Sequence, residues 1–188
     1  HFMARIKNME KREKMNEDKY PQHIMKFCPR CGTNSFVKYG EKACKCDSCG
    51  FVYYFNAATA VAVIIRDENG RVLLTRRAFE PGKGTLDLPG GFVDPLESAE
   101  NAVRREIIEE LGLSVTNMTY LGSFPNTYLY GGIVYFTCDL VFEVEVETLQ
   151  GIHAMDDVDA FAFYEITEDV VAKVGAESIK NILRKFCL

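Results

Sequence analysis

Glu106, Glu109 and Glu110 follow Arg105 closely, and Leu88-Pro-Gly-Gly-Phe92 lies a short way upstream. Carboxylates this near one another can hold a hard divalent cation if the chain folds them to one side. If residues 98 to 111 form a helix, Ala99, Val103, Ile107 and Leu111 recur at every fourth position and make a ridge that packs on a core. At about 100° per residue, the three acids then fall within an arc of roughly 100° along one edge of that ridge, with Glu110 almost at its centre. A Glu-rich helix is ordinarily a solvated face, and Arg105 could pair with Glu109 at i,i+4 for a few tenths of a kcal/mol. Solvated acids belong opposite the ridge, whereas these flank it. Beside a core they repel one another unless a multivalent cation neutralises them, and Mg²⁺ or Mn²⁺ prefers such oxygen ligands. The preceding glycines suit a loop whose backbone approaches a ligand or metal closely.

A second set of chemical residues lies nearer the N-terminus. Five of the seven cysteines fall between Cys28 and Cys49, as Cys28-Pro-Arg-Cys31-Gly and Cys46-Asp-Ser-Cys49-Gly with fourteen residues between the pairs. Two CxxC-Gly knuckles at that separation read as a tetrahedral zinc site, each glycine permitting the turn that presents the thiolates. Disulfides would need an oxidising compartment, and a thioredoxin-like redox motif would need a βαβ pattern that is absent here. Cys44 is an off-pattern donor beside Cys46; only Cys46 with Cys49 keeps the knuckle spacing, which leaves Cys44 free. Cys138 and Cys187 sit in apolar surroundings and read as small buried hydrophobes.

The run from Gly91 to Leu113 resembles the Nudix box, G-x5-E-x7-R-E-U-x-E-E-x-G-U with U aliphatic, and matches it at every defined position. The resemblance implies a Nudix α/β/α sandwich with a mixed sheet. It also implies a metal-dependent hydrolase that cleaves the diphosphate linkage of a nucleoside diphosphate derivative such as ADP-ribose, NAD(H), FAD or a nucleotide sugar. Carried over by position, Glu106, Glu109 and Glu110 hold Mg²⁺ or Mn²⁺, the Gly91 carbonyl is a further ligand, and Glu97 pairs with Arg105 to fix the loop against the helix. A ribbon joined directly to such a domain is similar to the NADH pyrophosphatases and related zinc-ribbon Nudix proteins, where its role is structural or in assembly.

The elements around these motifs give an α/β chain in three parts. Residues 1–22 are a charged extension, with 3–20 polar and charge-mixed; 23–55 form the ribbon with its aromatic tail Phe51 to Phe55; 56–188 form the Nudix domain. Thr59 to Ile65 and Arg71 to Thr75 flank Asp67-Glu-Asn-Gly70 and predict a hairpin. Further strands are predicted at Tyr128 to Tyr130, Ile133 to Glu147 and Phe161 to Tyr164. Thr167 can cap a helix that Gly175 interrupts, and Ile179, Ile182, Leu183 and Phe186 share one face of the last stretch.

Composition agrees with this reading. A chain of 188 residues with 47% hydrophobic residues can bury a medium domain and a small one. No apolar run of about 18 residues predicts a membrane span, and the charged start lacks a signal-peptide core, so a cytoplasmic location is expected. Residues 1 to 56 carry eleven Lys/Arg against six acids, the remainder eleven against twenty-one, as two modules with different surfaces would. The larger, acidic module argues against broad nucleic-acid binding. The expected partners are a small-molecule nucleotide substrate and, at most, a second copy in a homodimer.

Candidates for the chemistry extend beyond the box. Glu109 is the first choice for a ligand that also orients or deprotonates water; Asp157, in His153-Ala-Met-Asp-Asp157, is the second, while His153 reads as a surface histidine. Arg76 and Arg77 suit bidentate contacts to a diphosphate, although strand alternation would send them to opposite faces. Phe124, Tyr128 and Tyr130 could stack on a nucleobase, or serve as core aromatics. NADH pyrophosphatases carry S-Q-P-W-P-F-P-x-S soon after the box; here the comparable place reads Gly122-Ser-Phe-Pro-Asn-Thr-Tyr128, and the chain has no Trp, which argues against NADH preference. Two other functions stand beside hydrolysis of a small diphosphate. One is a sensor of ADP-ribose-like ligands, which a lost box glutamate would favour. The other is RNA 5′-end processing, which the basic ribbon permits although no interleaved basic and aromatic run demands it.

Overall fold

The computed structural model describes residues 17–188, so most of the charged extension, residues 1–16, lies outside the described residues. The chain divides into two compact units, one running to Ala57 and taking in Thr127–Phe136, the other formed by Ala58–Asn126 and Thr137–Leu188. No linear domain boundary would include that hairpin tip with the ribbon.

In the first unit a single turn, α1 (Pro21–Ile24), precedes three short strands, β1 (Phe36–Lys38), β2 (Ala43–Cys46) and β3 (Val52–Tyr54). They pair antiparallel in the order β1-β2-β3. One face of this sheet is packed: Phe36, Cys44 and Cys46 are buried, with Phe51 and Phe55 against them. So small a core needs an ion or a crosslink to hold it. Within the same unit Tyr20 meets Phe136 edge to face at 5.1 Å.

The second unit is built around β4 (Ala58–Ile65), apolar at consecutive positions and buried from Val61 to Ile65, as a strand covered on both faces must be. Val61, Val63 and Ile65 pack with Ala102, Val103, Ile107 and Leu111 of α2 (Ala99–Leu111). Ala62 and Ile64 belong to the opposite cluster, with Ile179, Ile182 and Leu183 of α4 (Glu177–Phe186). β4 pairs in parallel with β8 (Ile133–Val146), which neighbours β7 (Val115–Tyr130). β5 (Val72–Arg77) lies between β6 (Leu86–Asp87) and β9 (Val158–Tyr164), antiparallel to both. Helices on both faces make the α/β/α sandwich, with its mixed pairing divided between two three-stranded sheets. Among the described residues no helix is long and apolar enough to cross a membrane.

Some elements differ from their sequence signals. The Asp67–Gly70 turn forms, with Asp67 Oδ1 accepting from the N–H groups of Asn69 and Arg71 at 3.0 and 2.8 Å. It joins no ordinary hairpin: β4 and β5 share one isolated bridge, Arg66 with Val72, and diverge into separate sheets because β4 takes β8 as its parallel partner. The strand predicted at Tyr128 begins at Val115. The stretch before Tyr128, with Gly122 and Pro125, has a weak strand pattern and is carried by the neighbouring β8. Thr167 does cap a helix, α3 (Glu168–Val171), its Oγ1 accepting from Val170 N at 3.4 Å.

Candidate metal and diphosphate site

Ser98 opens α2, its side chain accepting from Asn101 N at 3.2 Å, and Gly112 closes it in the left-handed region at φ 67°. Val103, Ile107 and Leu111 are fully buried on the β4 side, so the ridge fixes the rotation of the helix. That rotation buries two of the acids, leaving Glu106 9% and Glu110 7% exposed, while Glu109 stays in solvent.

The glycine loop is laid along β4 by backbone bonds, Val63 N to Pro89 O at 2.9 Å and Val61 N to Gly91 O at 2.8 Å. Gly90, at φ 134°, has no room for a Cβ, which would strike the Val61 carbonyl; its N–H donates to Glu110 Oε2 at 2.9 Å. A Cβ on Gly91 would stand 2.5 Å from Glu106 Oε1. Both buried carboxylates are therefore seated against glycine backbone. The Gly91 carbonyl keeps one lone pair beyond its bond to Val61.

Arg105 organises the rim. Its Nε and Nη2 donate to Glu97 at 3.0 and 2.9 Å, its Nη1 to Glu106 at 2.7 Å and Glu109 at 3.0 Å, and Nη2 also to Phe92 O at 2.9 Å. These bonds, with one from Asp94 N, hold the Glu97 carboxyl below the usual carboxylate range. The buried acids go the other way. Burial pushes Glu110 up to about 8; the Gly90 N–H opposes that shift, and the charges of Glu106, Asp87 and Asp156 add to it. Burial also raises Glu106, against the pull of Arg105, with Glu109 and Asp156 adding to the rise. A carboxylate buried against a single amide and facing other acids lacks a counter-charge, and a divalent cation on oxygen ligands supplies one.

Two acids of this electrostatic cluster are not singled out by sequence. Asp87, at the end of β6, accepts from Arg77 Nη1 at 3.0 Å and from Leu88 N at 2.9 Å. The other is Asp156, next to the Asp157 that the sequence singles out. The loop that carries it is tied to the end of α2 by Met155 N to Glu110 O at 2.9 Å and His153 N to Leu111 O at 3.4 Å. Asp156, left-handed at φ 50°, is the loop acid whose charge bears on Glu106 and Glu110. The main-chain carbonyl of Asp157 accepts from Ala78 N at 2.9 Å as β9 begins.

The other candidates are dispersed. A register shift in the β5–β9 ladder falls between Arg76 and Arg77. Arg77 is committed to Asp87 and to Pro81 O, at 2.8 Å, whereas Arg76 is exposed. Phe124 is half-buried against the α4 side of the core, edge to face with Phe186 at 6.1 Å, and so reads as packing. Tyr130 belongs to the other compact unit, where it meets Tyr135 at 6.4 Å. The Tyr128 side chain lies outside the described residues. His153 is exposed, Nδ1 donating to Gly151 O at 2.7 Å, with its ring against Gly112.

The four knuckle cysteines form a second centre. One sulfur from each of Cys28, Cys31, Cys46 and Cys49 lies within 4.8 Å of all the others. The knuckles repeat one another: Gly32 N bonds Cys28 O at 2.8 Å and Gly50 N bonds Cys46 O at 2.9 Å, with both glycines at φ 73°. Ser35 and Thr33 hydroxyls, 3.4 and 3.5 Å from Cys46 Sγ, hold that thiol down to about 5. Their position after the first knuckle gives no sequence signal. Cys44 points away, its buried thiol 3.8 Å from Gln22 O and raised by burial. A four-sulfur cluster of this kind fits a tetrahedral ion.

A sandwich with an acid-bearing helix seated on a glycine loop defines a Nudix-type domain, and comparison with known proteins agrees. The NUDIX domain family model matches residues 56–186. The chain belongs to the NUDIX family. Over 111 residues, 56% of this chain and 42% of the relative, it is 34% identical to a protein named NAD-capped RNA hydrolase NudC from Haemophilus influenzae. A protein of the same name from Chromobacterium violaceum is 36% identical over 111 residues. The matched region thus spans about two-fifths of the length of these curated relatives. Among solved structures, a NUDIX hydrolase from Nitrosomonas europaea superposes with a TM-score of 0.62 at 22% identity, covering 87% of this chain and 90% of that one. The NUDIX domain of Shewanella oneidensis NrtR, solved with ADP ribose, gives 0.56 at 19% identity, covering 70% and 87%. These likenesses show the fold.

Proposed function

We propose that the chain hydrolyses the diphosphate linkage of a nucleoside diphosphate derivative with Mg²⁺ or Mn²⁺, and that its ribbon holds one structural Zn²⁺ on Cys28, Cys31, Cys46 and Cys49. The observation that carries the first part is the seating of Glu106 and Glu110, buried together against Gly90 and Gly91 without a counter-charge for Glu110. Glu106, Glu109, Glu110 and the Gly91 carbonyl would hold the divalent ions. When bound, the ions neutralise diphosphate oxygens, orient water and stabilise the leaving phosphate.

The protein's own groups do the rest. Glu97 and Arg105 keep the loop on the helix. Exposed Glu109 or Asp156 receives the proton from water, and Arg76 is the arginine left to bind diphosphate. The names of the NudC relatives support a substrate that contains a nucleoside diphosphate. The missing Trp-Pro-Phe-Pro element argues that NADH is not strongly preferred over ADP-ribose.

A hydrolysis screen over ADP-ribose, NADH, FAD, nucleotide sugars and nucleoside triphosphates, with product identification, tests this reading. Expected are Mg²⁺- or Mn²⁺-dependent release of a nucleoside monophosphate and a loss of about 10² or more in turnover for Glu109→Gln. Full activity in excess chelator, or in Glu109→Gln, refutes it. Tight ADP-ribose binding without turnover would establish the sensor instead.

A further inference from the structure

The buried face of the ribbon sheet is spent on Phe36 and the cysteines, which leaves its other face to be explained. Alternation along each strand and the ladder register decide what stands there. Val37 is opposite Lys45, and Lys45 opposite Val52, so these three form one row across the sheet. The next row is Tyr39, Ala43 and Tyr54: Ala43 is opposite Tyr54, and Tyr39 N donates to Ala43 O at 2.8 Å. Two tyrosines therefore flank an alanine on the outer strands, about 10 Å apart by strand spacing. Both are exposed, Tyr39 52% and Tyr54 60%, as is Val37 at 45%. Lys45 Nζ lies over the Tyr39 ring at 5.6 Å, a cation held beside a π-face.

An exposed tyrosine alone needs no explanation. Two in one row, with a lysine seated on one of them and aliphatic floor residues between, form a platform with a definite chemistry. Between Pro21 and Ala57 there are five Lys/Arg and two acids, Glu41 and Asp47; Lys45 is the cation that the register puts on this face, while Lys38, opposite Cys44, falls on the packed side and pairs with Glu41 at 3.3 Å. The module is thus net basic, its outer face carries Lys45, and the tyrosine rings with Val37 are the exposed apolar features of that face. A folded protein partner would be expected to bring a larger apolar anchor than this shallow face can bury. A chain of stacked bases on a phosphate backbone needs what is present: π-faces to stack on, with a cation alongside in a net basic module.

We propose that this outer face, Tyr39, Tyr54, Lys45 and Val37, binds single-stranded nucleic acid. The interleaving of basic and aromatic groups arises only when the three strands pair, which is why the linear sequence lacks it. This binding goes beyond hydrolysis at the box and does not depend on it.

The test uses the full zinc-loaded chain without added Mg²⁺ or Mn²⁺, so that no strand is consumed. It is titrated into fluorescein-labelled single-stranded RNA of about twelve nucleotides and into the matching duplex, with anisotropy as readout. Saturable binding is expected, tighter for the single strand, with log affinity falling against log salt by about 0.7 for each phosphate neutralised. Tyr39→Ala/Tyr54→Ala should weaken binding at least about tenfold, and Tyr39→Phe/Tyr54→Phe should keep it. Lys45→Gln should weaken binding and lower the salt slope by about 0.7. Zinc content and melting check each variant; if the double alanine variant is misfolded, the Phe pair and Lys45→Gln decide. Absence of saturable binding overturns the proposal, as do equal affinity for duplex, unchanged binding by a folded double alanine variant, or an unchanged salt slope for Lys45→Gln. A self-association that the tyrosine substitutions abolish would make the face a contact between copies and overturn it equally.

Discussion

Gly91→Ala separates the site from the fold. Gly91 does not have a left-handed backbone, so alanine fits its dihedrals, and the three atoms nearest the added Cβ all belong to the end of one side chain. That end is the Glu106 carboxyl, with Oε1 at 2.5 Å and Cδ at 2.7 Å. Restoring an ordinary contact moves the carboxylate by roughly 1 Å, and a misplacement of that size costs about 10² in rate. The expected loss in kcat/KM is therefore about a hundredfold, or about 2.7 kcal/mol of transition-state binding. Stability should change by less than about 1 kcal/mol, since the side chain can swing, which is within roughly 2–4 °C of melting temperature for a chain of this size. Gly90→Ala is the counterpart. Its Cβ strikes the Val61 carbonyl, and φ 134° is strained for any side chain, so backbone must yield. It should lower the melting temperature by roughly 4 °C or more. Release of nucleoside monophosphate from ADP-ribose, Mg²⁺ binding by calorimetry, and thermal melting are measured on both. Gly91→Ala protein that hydrolyses within about threefold of the parent and binds Mg²⁺ as tightly would show that Glu106 does not have to sit on Gly91.

Three further outcomes are expected from the same geometry. Glu110 titrates near 8 in the folded chain and near 4.3 unfolded. Between those values the folded state holds a proton that the unfolded state has released, so metal-free stability should fall as pH rises from about 4.5 to 8. Raised Glu106 acts in the same sense. Mg²⁺ and Glu110→Gln should each flatten the decline, and melting that rises across this window contradicts the assignment. Cys46→Ser should lose zinc by elemental analysis while Cys44→Ser retains about one ion per chain; the reverse result would put Cys44 in the cluster. Asp156→Asn should lower kcat at least about tenfold without backbone strain, since asparagine accepts the left-handed region, whereas Asp157→Asn should stay within about twofold. Equal effects would remove Asp156 from the site.

What was legible in the sequence was local. The box helix carries both periodicities in one stretch, so Val103, Ile107 and Leu111 fix the rotation that places Glu106 and Glu110. The knuckles are short turns whose spacing alone brings two sulfurs together, and their repeat supplies the other two. The hairpin signal at Asp67–Gly70 was equally local, and it misleads about the pairing of the strands on either side. A turn chooses its four residues, while the partner of a strand buried on both faces is chosen by burial, and β4 finds β8 79 residues along the chain, Ala58 opposite Thr137 and Ile65 opposite Val144.

Asp87 and Asp156 could not be read because each reaches the site through an obligation of some other element. Asp87 precedes the glycine loop in a two-residue strand too short to show alternation, and Arg77 comes to it only through the β5–β6 pairing. The case of Asp156 is more general. A helix ends with carbonyls that have no partner within it, and the loop after Gly151 satisfies those of Glu110 and Leu111 through Met155 and His153. Because Glu110 belongs to the acid cluster, whatever segment caps that end of α2 is brought toward the site. Two adjacent aspartates come after Met155, and the choice between them lies in one dihedral: Asp156 turns left-handed, and Asp157 leads into β9. The sequence supplies the acid pair, and the closing of the helix end carries it toward the site, where the charge of Asp156 bears on Glu106 and Glu110.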